Sequence, residues 1–465
     1  MFNIRGMRGL LTSSIGVTCA AALTLPPLVL NVPSAAAAPA DRATTTTARP
    51  AATALSGSTR SLPLTPLTPL TPRTRERVLG RAPEQGVYRT GVRDFSLVGV
   101  IWDNPGTELL GRVQVRTRSA TTGNWSDWQD IDPHNADHGA DPDSAEATSG
   151  RVHGATAPLW VGASDGVDLR VRTEAGPGPG VGRDLLPAGL RLELVDPGDE
   201  APSEAPSETP GADRPRTDTE ADAAAVVNAD LVSFAATEIP ALSRADTERE
   251  LRELNGGTAP LAKPYIGPRP RIVTRRGWGA DESLREKGFV YTGKIKAAFV
   301  HHTVSGNGYR CSDAPSVIRS IYRYHVVSMG WRDIGYNFLV DKCGTIYEGR
   351  AGGAAKAVRG AHTLGFNNNS MGIAVIGTFA SHKPPAAVVT ALAKLTAWKL
   401  GLFGANPKGK TYLKSGGGNL YPKGKNVRLN VISGHRDGYA TECPGAKLYA
   451  KLGSARTSSA HLQGR

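Results

Sequence analysis

The chain has 465 residues, is 40% hydrophobic, and carries 55 basic against 42 acidic side chains for a net charge of +13. That length allows two or three domains, each with a core of its own. Beyond an N-terminal leader, no apolar run approaches the roughly 20 residues a membrane span needs, which excludes a spanning segment.

The charge is uneven. Residues 1–197 balance at 19 basic and 19 acidic side chains, residues 198–260 carry 5 and 14, and residues 261–465 carry 31 and 9, with no lysine before Lys263. Such a basic third seeks an acidic partner, which outside a cell means an anionic wall polymer, a membrane surface or stray nucleic acid. Specific nucleic-acid binding is excluded, since neither a groove-reading helix nor interleaved stacking aromatics occur.

Residues 1–40 read as a signal peptide: Arg5 and Arg8, an apolar stretch over 10–30, then a small-residue cleavage region over 34–40. Cys19 lies in the apolar part and is removed with it. The mature protein is expected to be secreted, soluble and monomeric. Residues 41–85, with the repeat Leu64-Thr65-Pro66, Leu67-Thr68-Pro69, Leu70-Thr71-Pro72, read as a disordered spacer, because a proline at every third residue favours an extended polyproline helix.

From 86 to 197 the pattern becomes alternating: 95–102, 111–118, 167–172 and 190–195 read as strands separated by Gly, Pro and Asp turns, an all-β sandwich-like domain. Trp125 and Trp128 are expected mainly in its core, with stacking on sugar rings as the alternative. The acidic stretch 130–146 reads as a solvated loop rather than a calcium site, for want of regular oxygen-ligand spacing. Residues 198–262 are acidic and rich in Ala, Pro, Ser and Thr, a linker with at most a helical turn or two at 247–254.

The last domain, 263–455, alternates strand and helix signals, with a tail over 456–465. Strands are expected at 296–303, 337–341, 345–348 and 371–378. Helices are expected from a cap at Ser312 or Asp313 to about Met329, with Pro315 in the first turn, and over 385–402. The fold class is α/β, a mixed sheet flanked by helices.

Chemistry gathers in Ser433-Gly434-His435-Arg436-Asp437-Gly438-Tyr439-Ala440-Thr441-Glu442-Cys443-Pro444-Gly445, where a His and a Cys share one loop. A third metal ligand is sought in His301-His302, which closes the apolar run at 297–300. Two histidines and a cysteine leave a tetrahedral zinc one open position, the mark of a catalytic site. Three cysteines remain after the leader, and if Cys443 holds a metal, Cys311 and Cys343 are left to form a disulfide.

With Trp331-Arg332-Asp333-Ile334-Gly335-Tyr336-Asn337-Phe338, Tyr347-Glu348-Gly349-Arg350, Gly360-Ala361-His362 and Gly365-Phe366-Asn367 between the two halves of this set, the chain resembles the peptidoglycan recognition protein and type 2 amidase family. Its members include zinc N-acetylmuramoyl-L-alanine amidases and small phage lysozyme-like enzymes. The resemblance spans about 272–452. It implies Zn²⁺ held by His301, His435 and Cys443, peptidoglycan as substrate, and hydrolysis of the amide between N-acetylmuramic acid and L-alanine at the cell wall. The alternative is a peptidoglycan-binding receptor without catalysis; retention of Cys443 favours the enzyme.

His301 is preferred to His302 because strand neighbours face opposite ways and phage relatives keep only the first. The resemblance further places Tyr336 beside the metal and gives Thr441 a supporting role, that position being lysine in phage enzymes. Arg350, His362 and Asn367 fall on the peptide groove, where the guanidinium fork of Arg350 suits a stem-peptide carboxylate. An ordinary exposed charge is the other reading of Arg350. Relatives that read the third stem residue carry Gly-Trp after this arginine; here Ala351-Gly352-Gly353 follows, so that readout does not transfer.

Overall fold

The computed structural model describes residues 57–67, 84–173, 186–198, 220–256 and 264–465. The leader, with Cys19, lies outside the described residues. Among those described, no helix is long and apolar enough to cross a membrane.

The N-terminal domain is the expected all-β unit. Its eight-stranded sheet has a main path through β1 (Ser58–Pro63), β6 (Arg191–Asp196), β2 (Glu84–Trp102), β5 (Leu159–Thr173), β3 (Gly111–Ser119) and β4 (Gln129–Ile131), all antiparallel. Alternation drives it: Val98, Val100, Val113, Val115, Leu169, Val171, Leu192 and Leu194 fill one core.

Two expectations fail here. The spacer contributes β1, which pairs residue for residue with β6 from Ser58↔Asp196 to Pro63↔Arg191. Its proline is tolerated because the strand lies at an edge and ends there. Trp125 and Trp128 lie at the surface rather than in the core, with the Arg170 guanidinium 4.2 Å above the Trp128 ring and Arg116 5.2 and 5.1 Å from Trp125 and Trp128.

The acidic linker is also ordered in part. It supplies α1 (Glu220–Val226), β7 (Glu238–Ile239) and α2 (Arg244–Leu254), the last capped by Ser243. Part of it turns inward: Leu231, Ile239 and Leu251 join the C-terminal core, and buried Asn228 donates to both oxygens of Glu348 at 3.0 and 2.9 Å.

The C-terminal domain is built on a mixed seven-stranded sheet. With β8 (Ile272–Val273), β9 (Ala297–His302), β10 (Phe338–Val340), β11 (Ile346–Glu348), β12 (Ser370–Val375) and β13 (Ile432–Gly434), the order is β13-β9-β12-β10-β11-β8-β7. β9 is parallel to both neighbours, β12 and β13, and is wholly buried, as expected of a central parallel strand.

α4 (Ala386–Leu402) covers one face through Val388, Leu392, Leu395 and Trp398. α5 (Leu452–Gln463) packs alongside it, so the expected tail is a helix, with Ser459, Ala460 and Gln463 buried. On the other face α3 (Ala314–Arg323) begins at Asp313 with proline in its first turn and runs on through a π-helical turn, Tyr324–Ser328. A disulfide joins Cys311 to Cys343.

α3 is not that face's outer layer. Leu97, Ile101, Ala155 and Val195 of the β domain share one core with Val317, Ile321, Tyr324, Met329 and Trp331. Gly99 permits the approach: a Cβ there would meet the Tyr324 ring at 2.4 Å. The Tyr324 hydroxyl is left free to donate to the carbonyl of Thr156 at 3.1 Å. The two domains are therefore packed together, not strung on a linker.

Candidate metal centre and groove

Strand pleating decides which histidine of β9 faces the site. His301 follows Ala297 and Phe299 on one face, whereas the ring of His302 turns away and accepts from the Phe379 amide through Nδ1 at 3.1 Å. β13 runs alongside β9 and delivers His435 at its end, and the loop that follows brings back Cys443. His301, His435 and Cys443 thus converge at the same end of two adjacent parallel strands.

A fourth residue joins them from the other domain. Potential ligand atoms of His138, His301, His435 and Cys443 all lie within 4.8 Å of one another, and all four residues are buried. The thiol sulfur lies 3.8 Å from His138 Nε2 and 3.8 Å from His301 Nδ1. Tetrahedral zinc, with ligand bonds of about 2.0–2.3 Å, would space its donors roughly 3.3–3.8 Å apart.

The remaining ring nitrogens are held from behind. His138 Nδ1 donates to Asp137 Oδ1 at 2.9 Å, His435 Nε2 donates to the Asp137 carbonyl at 3.1 Å, and His301 Nε2 meets His362 Nδ1 at 3.2 Å. This is the outer-shell arrangement that fixes a ligand imidazole's tautomer and aim. His435 Nδ1 is buried with no hydrogen-bond partner among the described residues, the nearest carboxylate oxygen being Asp137 Oδ2 at 3.7 Å.

Burial pushes the His435 pKa down to about 3 and that of His301 well below its usual value, so both rings are neutral. Burial, with Asp137 nearby, pushes the Cys443 thiol well up in the protein alone. Neutral imidazoles, an orphaned ring nitrogen and a thiol that only a neighbouring cation would ionise are the chemistry of a borderline-soft divalent ion.

Tyr336 is buried against the cluster, its ring 5.5 Å from that of His301 and 6.0 Å from that of His138. Thr441 Oγ1 accepts from the Cys443 amide at 3.2 Å and holds the loop rather than facing outward. His362 is fully buried as the hydrogen-bond partner of His301, so it backs the site instead of lining the groove.

Arg350 is 5% exposed and not a surface charge. It makes a two-bond pair with Glu146, at 2.9 and 2.9 Å. Asn367 Nδ2 donates to Asp141 Oδ1 and to the Gly139 carbonyl, both at 2.8 Å. The stretch read as a solvated loop therefore packs against Arg350 and Asn367, with Asn135, Asp137, His138, Asp141 and Glu146 all buried. What reverses the expectation is complementary charge, acid from one domain meeting base in the other.

A model of the N-acetylmuramoyl-L-alanine amidase family matches residues 291–446, and one described as Rv3811 N-terminal galactose-binding domain-like matches residues 38–215. Peptidoglycan-recognition protein 1 of Holotrichia diomphalia is 32% identical over 187 residues, 39% of this chain and 79% of that protein. Peptidoglycan-recognition protein SC2 of Drosophila simulans is 29% identical over 184 residues, 39% of this chain and 84% of that one. Among solved structures, wild-type Drosophila PGRP-LB is similar at 29% identity, covering 39% of this chain and 92% of that one with a TM-score of 0.31.

The C-terminal domain is thus a mixed-sheet α/β unit with an imidazole–thiol cluster at its strand ends. The chain belongs to the peptidoglycan-recognition protein and N-acetylmuramoyl-L-alanine amidase family.

Proposed function

We propose that the chain is a secreted zinc-dependent N-acetylmuramoyl-L-alanine amidase that cleaves the bond between N-acetylmuramic acid and L-alanine in peptidoglycan. The observation that carries this is the convergence of His301, His435 and Cys443, each aimed by a backing hydrogen bond or a neighbouring strand. The family and its named relatives supply the substrate class.

Zinc bound there would supply Lewis acidity, polarising an amide carbonyl and making water nucleophilic near neutral pH. The protein's own contribution is position. Burial, with Cys443 and Asp137 adding to it, raises the Tyr336 phenol well above its usual pKa, so it keeps its proton and can donate to an oxyanion forming on the carbonyl. Arg350 and Asn367, once released from Glu146 and Asp141, would present donors for carboxylates of the stem peptide. Thr441 and His362 hold Cys443 and His301 in place. The basic C-terminal domain, completed by the ordered part of the linker, carries His301, His435 and Cys443 and is attracted to anionic wall polymers; the β domain adds His138 beside them.

One observation favours a second reading, binding without hydrolysis. His138 brings the donors to four, and four protein donors close a zinc site in the manner of structural sites. Turnover of a defined muropeptide separates the two. Hydrolysis abolished by a chelator and restored by zinc supports the amidase; stable binding with no turnover by any form of the protein supports the receptor.

A further inference from the structure

Segment 132–149 belongs to the β domain by sequence, yet its buried side chains serve the C-terminal site. We propose that this segment is a built-in occupant of the groove, holding the site closed and latent. His138 would fill the metal's fourth position, and Asp141 and Glu146 would stand in for two carboxylates of an acidic peptide ligand. The proposal rests on the zinc-amidase reading for the metal and the reaction.

The carboxylate positions are built into the C-terminal domain. There Arg350 meets the carbonyls of Ile334 at 2.8 Å, Asp333 at 3.4 Å and Arg359 at 3.5 Å, but its carboxylate partner is Glu146. Without Glu146 the buried guanidinium would keep those carbonyls and only the nearby charge of Asp333, which is already paired with Arg275 at 3.1 Å, so this pocket is shaped for a further acid.

The second position is a cradle of three donors on one oxygen. Gly365 N at 3.0 Å, Asn367 N at 3.3 Å and Asn367 Nδ2 at 2.8 Å all point to Asp141 Oδ1. Arg359 adds a contact of 3.3 Å to the other oxygen. Two separate carboxylate pockets are thus filled by two acids of one segment.

The segment is shaped to reach the metal cluster as well. Asp137 turns the His138 ring through its 2.9 Å bond, leaving Nε2 toward Cys443, and Gly139 then adopts a φ of +146° that favours glycine. Catalytic zinc sites keep a position open for water or substrate; were zinc held by His301, His435 and Cys443, His138 would be the residue to take that position. A cavity of 390 Å³ lined in part by Trp102, His138 and Glu146 borders the segment, so part of it already faces open space.

A merely structural tie between two domains does not call for this chemistry. Apolar packing joins them already through the core around Tyr324, and burying carboxylates against arginine seldom adds more than apolar contact would. Reversible occupation of a site made for carboxylates does call for it. The ligand class that follows is a peptide with two carboxylates, bound only when the segment withdraws.

The test uses full-length, zinc-loaded protein, with His138→Ala and the near-isosteric double variant Asp141→Asn/Glu146→Gln, which keeps shape should the alanine variant not fold. X-ray absorption at the zinc edge is expected to show three imidazoles and one sulfur in the parent protein and one imidazole fewer in His138→Ala. Titration calorimetry with a synthetic muramyl peptide carrying two free carboxylates is expected to show binding at least about 10-fold tighter in the double variant, because the open fraction limits apparent affinity.

An unchanged zinc shell with equal peptide affinity overturns the proposal, whatever the activity. A changed shell with equal affinity makes His138 a permanent ligand and overturns occupancy. Both expected shifts with no hydrolysis by any variant uphold the occupant and overturn the amidase reading instead.

Discussion

Glu146 and Arg350 lie 204 residues apart and in different domains, yet they share two hydrogen bonds of 2.9 Å, with side chains only 8% and 5% exposed. Removing one partner of such a pair leaves a buried charge uncompensated, typically at about 3–5 kcal/mol. Glu146→Ala is therefore expected to lower the melting temperature markedly, and a peptide carrying carboxylates is expected to recover part of the loss. Calorimetric melting with and without the peptide measures both effects; an unchanged melting temperature would contradict the buried pairing.

Cys443→Ser keeps nearly the same volume, so packing at this buried position changes little. A serine hydroxyl does not ionise near neutral pH and is a poor partner for zinc. Elemental analysis is expected to find about one zinc per chain in the parent protein and a large loss in the variant. Full zinc occupancy in both would remove Cys443 from the ligand set.

The ligand trio was legible in the sequence because each member sits in a local pattern: a strand ending in His301, a strand delivering His435, a Gly/Pro loop returning Cys443. The central strands and the long helices were legible for the same reason. His138 was not, because it lies 163 residues before His301 and no local period links them. The signal was there in another form, as a run dense in Asp, Glu and His facing a domain with 31 basic side chains and 9 acidic ones. That asymmetry was read as attraction to an outside partner, while part of the partner is on the same chain. Composition also misled at Ser58–Pro63 and at Asn228. There a single edge ladder and a single buried amide order sequence whose average content is that of a spacer.

The Cys311–Cys343 disulfide closes a separation of 32 residues, tying the start of α3 to the turn between β10 and β11. The chain-entropy model assigns such a loop roughly 3–4 kcal/mol. Replacing both cysteines by alanine is expected to lower denaturant stability by that order while zinc content stays the same. Loss of zinc in the double variant would tie the disulfide to the metal site.

Glu348 gives a pH signature. Burial, opposed by the hydrogen bonds of Asn228 and the charge of Arg275, raises its pKa from 4.5 to about 7. The folded protein therefore holds this proton more tightly than the unfolded chain does, so the group costs nothing below about pH 4.5 and destabilises progressively as pH rises to about 7. The cost is on the order of 3 kcal/mol at full ionisation. Unfolding free energies between those pH values are expected to slope downward in the parent protein and less so in Glu348→Gln. Equal slopes would contradict the assignment.

The bond broken is the most direct test of the whole account. A defined muropeptide is incubated with the zinc-loaded Asp141→Asn/Glu146→Gln protein, and the products are identified by mass spectrometry. Release of the intact stem peptide with a free L-alanine amine, together with unmodified N-acetylmuramic acid, is expected, and a chelator is expected to stop it. Cleavage at any other bond, or no chelator-sensitive cleavage at all, would contradict it.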